Sequence, residues 1–191
     1  MEEKYFPLID GSQWVYQELG GPGLIHVRLE VGPETERGLE LYFHYRDLRR
    51  GNAWLRHLRL RDGEIYLVDR FGDEEGPILR FPMSVEQNWV YHTNNVMVVR
   101  CYMVDMGEVQ VPAGTFADVL KVEYQYSSGF SEAELYAPQV GLVGYVERYE
   151  DVDETYRLLY YRAGDGSYEV GRLPLPEEAL PSPSGNGFRH A

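Results

Sequence analysis

The chain has 191 residues, which is enough for one domain that buries roughly 70% of its unfolded surface without disulfides or a metal. Acidic residues outnumber basic ones by 31 to 18, so the net charge is −13 at pH 7. Because binding to a phosphate backbone needs a basic surface, this charge argues against a nucleic-acid partner. An anionic membrane surface would repel the chain for the same reason.

No apolar run is long enough for a transmembrane helix, so we expect no membrane insertion. The first four residues, Met1 to Lys4, lack the basic start and the apolar core of an export signal. We therefore expect a cytoplasmic protein. The alternative is a cell-envelope protein whose export signal is not part of this sequence.

The first half of the chain alternates apolar and polar residues, which is typical of strands with one wet face. Ile25 to Val31 predict one strand, and Leu39 to Tyr45 predict the strand that returns beside it. His26 and His44 both belong to the outward, polar set of this hairpin. No segment of the chain has a sustained helical period, so the predicted fold is all-β.

Turn chemistry divides the next segment. The Asp62-Gly63 pair suits the tight turn of a hairpin, so residues 54–60 and 64–70 predict its two strands. Residues 72–76 are acidic and contain glycine, and we interpret them as a loop.

An aromatic-Pro-apolar triplet occurs twice with a tryptophan at the same offset. Phe6 precedes Trp14 by eight residues, and Phe81 precedes Trp89 by eight residues. This spacing predicts an internal repeat within one domain. We interpret both tryptophans as core side chains, and the alternative is that they form a platform for a ligand. The predicted domain and its two halves are residues 1–172, 5–80 and 81–172.

The second half continues as strands separated by turns. Pro112 and Gly114 end one strand, because proline lacks a backbone donor and glycine permits a positive φ. Ala133, Leu135 and Ala137 are expected to form the core-facing side of a later strand. The predicted strands of this half are residues 96–104, 109–111, 120–126, 133–137, 155–162 and 168–172. Four prolines then predict a disordered or loosely docked tail over residues 173–191.

Candidate reactive residues are few. Cys101 alternates with Val99 and Met103, so we interpret it as a core side chain, with a nucleophile as the alternative. His26 and His44 are candidate zinc ligands together with Glu30 or Glu40, although surface strands often carry histidines without a metal. The sequence identifies no catalytic, cofactor-binding or metal-binding residue, and it implies no cofactor.

Residues 151–154 resemble part of a calcium loop, but they lack the spaced oxygen ligands and the glycine that such a loop needs. We interpret them as a solvated turn. No phosphate loop, dinucleotide fingerprint or nucleophile elbow is present.

Three landmarks carry a family resemblance: the two aromatic-Pro-apolar triplets with their tryptophans, VPAGTF at residues 111–116, and YAPQVGLV at residues 136–143. Together they resemble a broad group of uncharacterised bacterial β-domain proteins, many of them similar to exported or lipid-anchored cell-envelope domains. The resemblance implies an antiparallel, strongly curved sheet or β-barrel, and it brings no catalytic residues. Gly11 fits the glycine that this group has before the tryptophan, whereas Glu86 and Gln87 depart from it.

Three hypotheses for function follow. The first is a non-catalytic β domain that binds a small apolar or amphipathic molecule, or a protein partner, in the concave side of its sheet. Its sixteen tyrosines against seven phenylalanines suit strand positions with an apolar ring and a wet hydroxyl. The second is a structural or assembly module. The third is a hydrolase that uses His44, His57 or His92 with a carboxylate in the barrel mouth.

Overall fold

The computed structural model describes residues 4–93, 97–149 and 152–174, and the regular structure within these residues is entirely β-strand. The strands are β1 Gln13–Glu18, β2 Leu24–Thr35, β3 Gly38–Asp47, β4 Ala53–Arg61, β5 Glu64–Val68, β6 Glu74–Arg80, β7 Asn88–His92, β8 Val98–Val111, β9 Gly114–Tyr126, β10 Ser131–Ala137, β11 Gly141–Tyr149, β12 Val152–Arg162 and β13 Glu169–Gly171. In the part of the chain described, no helix is long and apolar enough to cross a membrane.

The strands form one antiparallel sheet that curls into a nearly closed, up-and-down barrel. Each of β1 to β12 pairs with the next strand along the chain, except that β6 does not pair with β7. The last strand of this series, β12, pairs back with β1, and β13 adds to one end of β12. The predicted all-β antiparallel fold is confirmed, and it takes the form of a barrel with one unsealed seam between β6 and β7.

The hairpins follow the sequence pattern closely. In β2 and β3 the inward residues Val27 and Tyr45 lie opposite each other, as the alternation predicts. Asp62 and Gly63 join β4 to β5 with positive φ values of 55° and 77°, which the tight hairpin turn requires. Local turn chemistry therefore sets the register of this half of the barrel.

One strand was missed. Residues 72–76 were predicted to be a loop, but β6 begins at Glu74 and continues through Pro77 to Arg80. Proline is tolerated here because β6 borders the seam and pairs only with β5. Acidic residues and proline are uncommon within strands, so the sequence pattern did not predict this edge strand.

The N-terminal segment plugs one end of the barrel. The ring of Phe6 lies within the interior, with its centroid 6.0 Å from that of Phe43 and 5.8 Å from that of Phe81. The backbone amide of Gln139 donates to the carbonyl of Lys4 at 2.7 Å. Gly141 has a φ of +82°, and a Cβ there would lie 3.2 Å from Pro7. The turn between β10 and β11 is thus shaped to hold this segment.

Part of the outer face of the barrel is buried instead of solvent-exposed. Val15, Leu24 and Tyr160 form a second buried cluster there, against which Leu173 packs. His26 lies opposite Val15 on the same face and is buried. The expectation that this histidine lies on a solvated face is therefore wrong, because the outer face carries its own apolar cluster at that point.

The two tryptophan-bearing segments occupy comparable places in the chain order. Trp14 lies on β1 and Trp89 on β7, so each belongs to the first strand of a six-strand series. Both indoles are buried, and both donate to backbone carbonyls, Trp14 to Val140 at 2.8 Å and Trp89 to Pro77 at 2.7 Å. The division into two similar halves stays a prediction, and residues 175–191 of the predicted tail lie outside the described residues.

At the seam, side chains of β6 and β7 contact each other, but the two strands share no backbone hydrogen-bond pairing. The hydrogen bond from Trp89 to Pro77 crosses from β7 to β6, and the guanidinium of Arg80 lies 5.9 Å from the centroid of the Trp89 ring. This indole therefore links the two unpaired strands through a hydrogen bond and a cation–π contact.

We expect Trp89→Phe to lower the free energy of unfolding by about 1 kcal/mol, because the ring stays apolar while one hydrogen bond to a backbone carbonyl is lost. Amides of β6 and β7 should exchange with solvent faster than in the parent protein. Urea unfolding and hydrogen exchange followed by mass spectrometry measure the two effects.

Trp14→Phe is the matched control, since it loses an equivalent bond away from the seam. It should lower stability by a similar amount without selective exchange in β6 and β7. If both variants raised exchange in the same strands, the indole of Trp89 would have no special role at the seam.

Candidate functional site

The predicted histidines lie on the outer face of the barrel. His44 is within hydrogen-bond distance of Glu30, with Nε2 and Oε2 2.9 Å apart. His26 instead contacts Gln13 at 3.1 Å, and burial, with Arg28 nearby, lowers its pKa to about 4. The two histidines do not share a site. Among the described residues, no group of three His, Cys, Asp or Glu side chains is gathered closely enough to hold a metal ion.

His57 also faces outward and contributes to a charged network. Its Nε2 lies 2.5 Å from Oε2 of Glu40, whose other oxygen accepts from Nε of Arg59 at 2.7 Å. Burial opposes the charge of Glu40, but the hydrogen bonds from Arg59 and His57 outweigh it and lower the pKa of this carboxyl. Arg59 also reaches Glu74 at 2.5 Å, so it ties β3 and β4 to β6. The network joins strands on the outside of the barrel.

The hydrolase hypothesis needs a histidine beside a carboxylate, and His57 meets Glu40 in this way, but in a groove on the outer face instead of the barrel mouth. His92 ends β7 and is exposed, and no histidine in the described residues lines the barrel interior. Cys101 lies in the core as expected, where burial raises the pKa of its thiol to about 12. A thiol of that pKa is protonated at neutral pH and is a poor nucleophile. Residues 151–154 were interpreted as a solvated turn, but β12 begins at Val152, and Asp151 lies outside the described residues.

An interior cavity lies at the end of the barrel opposite the Phe6 plug, the end that we call the mouth. Its volume is about 250 Å³, and β1 to β4, β10 and β11 form its walls. The aromatic residues that line it are Tyr16, Tyr45, Trp54 and Tyr145. The charged residues that line it are Arg56, Glu132, Glu134 and Glu147.

A narrower pocket of about 50 Å³ continues from the cavity toward the plug. Its walls are mainly apolar and include Phe6, Trp14, Val27, Phe43 and Leu58. The pocket and the cavity share five lining residues, namely Tyr16, Tyr45, Arg56, Glu134 and Leu142. The barrel interior thus becomes more polar from the plug toward the mouth, where Glu132 and Glu147 join the lining.

The carboxylates of β10 enter the interior, whereas the prediction gave the core-facing side of this strand to apolar residues alone. Ala133, Leu135 and Ala137 were expected to face the core. Leu135 and Ala137 are indeed buried in the core cluster, but Glu134 lies opposite the buried Val122 and Glu132 lies opposite the buried Tyr124. Residues that are directly opposite in an antiparallel pair share a face, so both glutamates point inward. Tyr136 is on the same side of β10 as the two glutamates, and its ring is buried. The register shift between Leu135 and Tyr136 arises because β11 has an extra residue, Val143.

Glu134 is held by hydroxyl groups and a guanidinium. Its Oε2 accepts from Tyr124 at 2.8 Å and from Tyr136 at 2.6 Å, and its Oε1 lies 3.7 Å from Nη1 of Arg56. Burial raises the pKa values of both tyrosines well above their ordinary range, so their hydroxyls remain donors. A buried carboxylate needs such partners, and Glu134 is therefore a structural charge as well as a wall of the cavity.

Glu132 is less well compensated. Its Oε2 accepts one hydrogen bond of 3.2 Å from Tyr126, and it lies directly opposite Glu147 on β11. Burial, then the charge of Glu134, raises the pKa of Glu132 from its ordinary 4.5 to about 7, with Glu147 adding to this effect and Arg56 opposing it. This carboxyl therefore changes its charge near neutral pH.

Aromatic rings line the mouth beside these carboxylates. The rings of Tyr45 and Trp54 are stacked, with centroids 5.2 Å apart and planes 13° apart. Tyr145 stacks on Tyr156 with a centroid distance of 4.8 Å and meets Tyr16 edge to face at 6.3 Å. The cavity therefore combines fixed π-surfaces with acidic side chains.

No protein-family model and no curated protein matches the chain. A solved structure from Bacteroides fragilis, of a candidate exported protein with a YmcC-like fold, is 17% identical, with a TM-score of 0.52 over 82% of this chain and 97% of that one. A candidate lipoprotein from Parabacteroides distasonis is 16% identical, with a TM-score of 0.49 over 82% and 97% of the two chains. The first match shows a shared fold, and the family resemblance of the sequence landmarks stays a prediction.

The raised pKa of Glu132 predicts a pH-dependent contribution to stability. Between about pH 4.5 and pH 7 the folded state holds a proton on this carboxyl that the unfolded state has released. The free energy of unfolding should therefore fall as the pH rises through this window, by at most about 1.4 kcal/mol per pH unit from this group.

Glu132→Gln removes this ionisation. The free energy of unfolding of the variant, minus that of the parent, should therefore increase as the pH rises from 4.5 to 7. Urea unfolding at several pH values measures the difference. Glu108→Gln, on an exposed part of β8, is the control and should show no such trend. A constant difference between Glu132→Gln and the parent at all pH values would contradict the raised pKa.

Proposed function

We propose that the chain is a non-catalytic barrel that binds a small amphipathic molecule inside its mouth. The observation that carries this proposal is the continuous change from an apolar pocket to a polar cavity, with five residues common to both. The end of an apolar chain would enter the small pocket above Phe6, and the rest of the chain and a polar head group would lie in the wider cavity among the tyrosines and glutamates. The volume of about 250 Å³ lies just below the roughly 300–1,000 Å³ typical of small-molecule sites, which favours a short ligand.

The proposed place of action is the cell envelope. The exported character ascribed to the Bacteroides fragilis protein, which shares this fold, supports that part of the proposal. The cytoplasmic location expected from the N-terminal residues gains no support from the comparisons.

A second candidate function is an assembly module. Val90, Tyr102, Val104 and Met106 are exposed apolar residues on β7 and β8, next to the seam where β7 lacks a partner strand. An exposed apolar patch beside a free strand edge is what strand-to-strand association requires. Native mass spectrometry of protein from its own source separates the two functions: a retained small molecule supports the binder, and a multiple of the chain mass supports the module.

Leu142→Trp should block the cavity, because Leu142 lines both the pocket and the cavity and the larger ring would occupy their junction. We expect the affinity for 1-hexanol, a neutral short amphiphile, to fall at least tenfold. Isothermal titration calorimetry and saturation-transfer NMR measure the binding.

Val90→Trp introduces the same ring on the exposed face of β7 and should leave hexanol binding unchanged. If Leu142→Trp does not fold, Leu142→Phe reduces the space less severely and should weaken binding in the same direction. Equal binding by the parent and a folded cavity variant, or no binding by the parent, would overturn the proposed function.

A further inference from the structure

The apolar pocket ends against a residue that belongs to no strand. Phe6 lies in the segment before β1, and its buried ring lines the pocket. The centroid of this ring lies 6.0 Å from that of Phe43, 5.8 Å from that of Phe81 and 6.4 Å from that of Tyr136. An alkyl chain that entered from the mouth would therefore stop at Phe6.

The backbone around Phe6 is held by contacts that do not involve its ring. Just before it, the carbonyl of Lys4 accepts from the amide of Gln139 at 2.7 Å. The hydroxyl of Tyr5 donates to the carbonyl of Asp118 at 2.9 Å. Because these bonds fix the segment independently of the ring, a smaller side chain at position 6 should deepen the pocket and leave the plug in place.

The other large side chains around the pocket belong to the barrel itself. Trp14, Phe43 and Leu58 lie on β1, β3 and β4, and the indole of Trp14 also donates to the carbonyl of Val140 at 2.8 Å. These walls fix the width of the pocket, whereas Phe6 fixes its depth.

The pocket is small enough for its depth to limit the ligand. Its volume is about 50 Å³, and one water-sized group needs about 10–15 Å³, so only a few methylene groups fit beyond the cavity. Two alkyl chains side by side would not fit. A methylene that leaves water for such a site tightens binding about fourfold, whereas one that remains in water adds nothing.

We infer that Phe6 sets the length of the alkyl chain that the barrel accepts, so that the ligand is an amphiphile with a single short chain. This inference rests on the proposed binding function, and it specifies the apolar part of the ligand and the residue that selects it.

The test compares 1-hexanol, 1-octanol and 1-decanol, which share a head group and differ only in chain length. In the parent the gain in affinity per methylene should fall well below fourfold between hexanol and decanol, because the pocket is already filled. In Phe6→Ala the space left by the ring should accept at least two more methylenes. The ratio of decanol affinity to hexanol affinity should therefore be at least tenfold higher than in the parent. Calorimetric titration measures hexanol and octanol, and displacement of hexanol measures decanol.

Two further variants assign the effect to position 6. Phe6→Leu keeps much of the apolar volume, folds more readily than Phe6→Ala, and should raise the ratio in the same direction by a smaller factor. Phe116→Ala is the matched control, since it removes the same ring from the buried core at a position that is not among the described residues lining the pocket or the cavity. It should leave the ratio unchanged. Circular dichroism and urea unfolding establish that each variant is folded.

The outcomes separate this inference from the proposed function. If the folded Phe6 variants keep the ratio of the parent, Phe6 does not select chain length, while hexanol binding that is lost in Leu142→Trp still supports the proposed function. An equal rise in Phe116→Ala would assign the effect to a loosened core and would also overturn the role of Phe6. The absence of binding by all three alcohols in the parent would overturn both.

Discussion

A barrel of twelve strands is wider than the side chains of its own strands can fill, since about eight strands already give an interior that side chains just fill. This width is the constraint on which the rest of the molecule depends. At one end the chain fills the excess space with a segment from outside the barrel, whose Phe6 ring meets Phe43 and Phe81. At the other end no comparable plug is present in the described residues, and a cavity remains.

The polar groups of that cavity are constrained by burial, because a buried carboxylate needs hydrogen-bond or ionic partners. Glu134 is a buried carboxylate, and it is stable there because Tyr124, Tyr136 and Arg56 surround it. Those partners satisfy one glutamate only. Glu132 lies one step nearer to the mouth with a single hydroxyl and a facing carboxylate, and its raised pKa records the missing compensation. Glu134 has hydrogen-bond partners and an ion pair, whereas Glu132 has one weak hydrogen bond, and this difference makes the mouth the more polar end of the interior.

The sequence predicted the strands better than the site. Alternation from Ile25 to Val31 and the Asp62-Gly63 turn are local signals, and the structure confirms the hairpins that they predict. The site depends on β10, where the hydrophobic pattern correctly predicted that Leu135 and Ala137 are buried but did not predict that Glu132 and Glu134 face the interior. The signal that was available is the stretch Glu132-Ala133-Glu134-Leu135-Tyr136, which is compatible with either face until its partner strand is known. The histidines were candidates for a metal site or a catalytic base because of their residue type, but they lie on the outer face.

Most of the sequence landmarks lie at the plugged end of the barrel, although Leu142 of the YAPQVGLV segment also lines the cavity. Pro7 packs against Gly141 of the β10–β11 turn, Trp14 donates to Val140 in that turn, and the amide of Ala113 in the VPAGTF segment donates to the carbonyl of Leu158 at 2.9 Å. These contacts hold the plug and brace the strands around it, so the landmarks specify how the barrel is closed. The rings and carboxylates at the mouth take no part in that closure. Chains that share the landmarks can therefore share this architecture and differ in the head groups that they bind, because that preference depends on side chains that the closure does not fix.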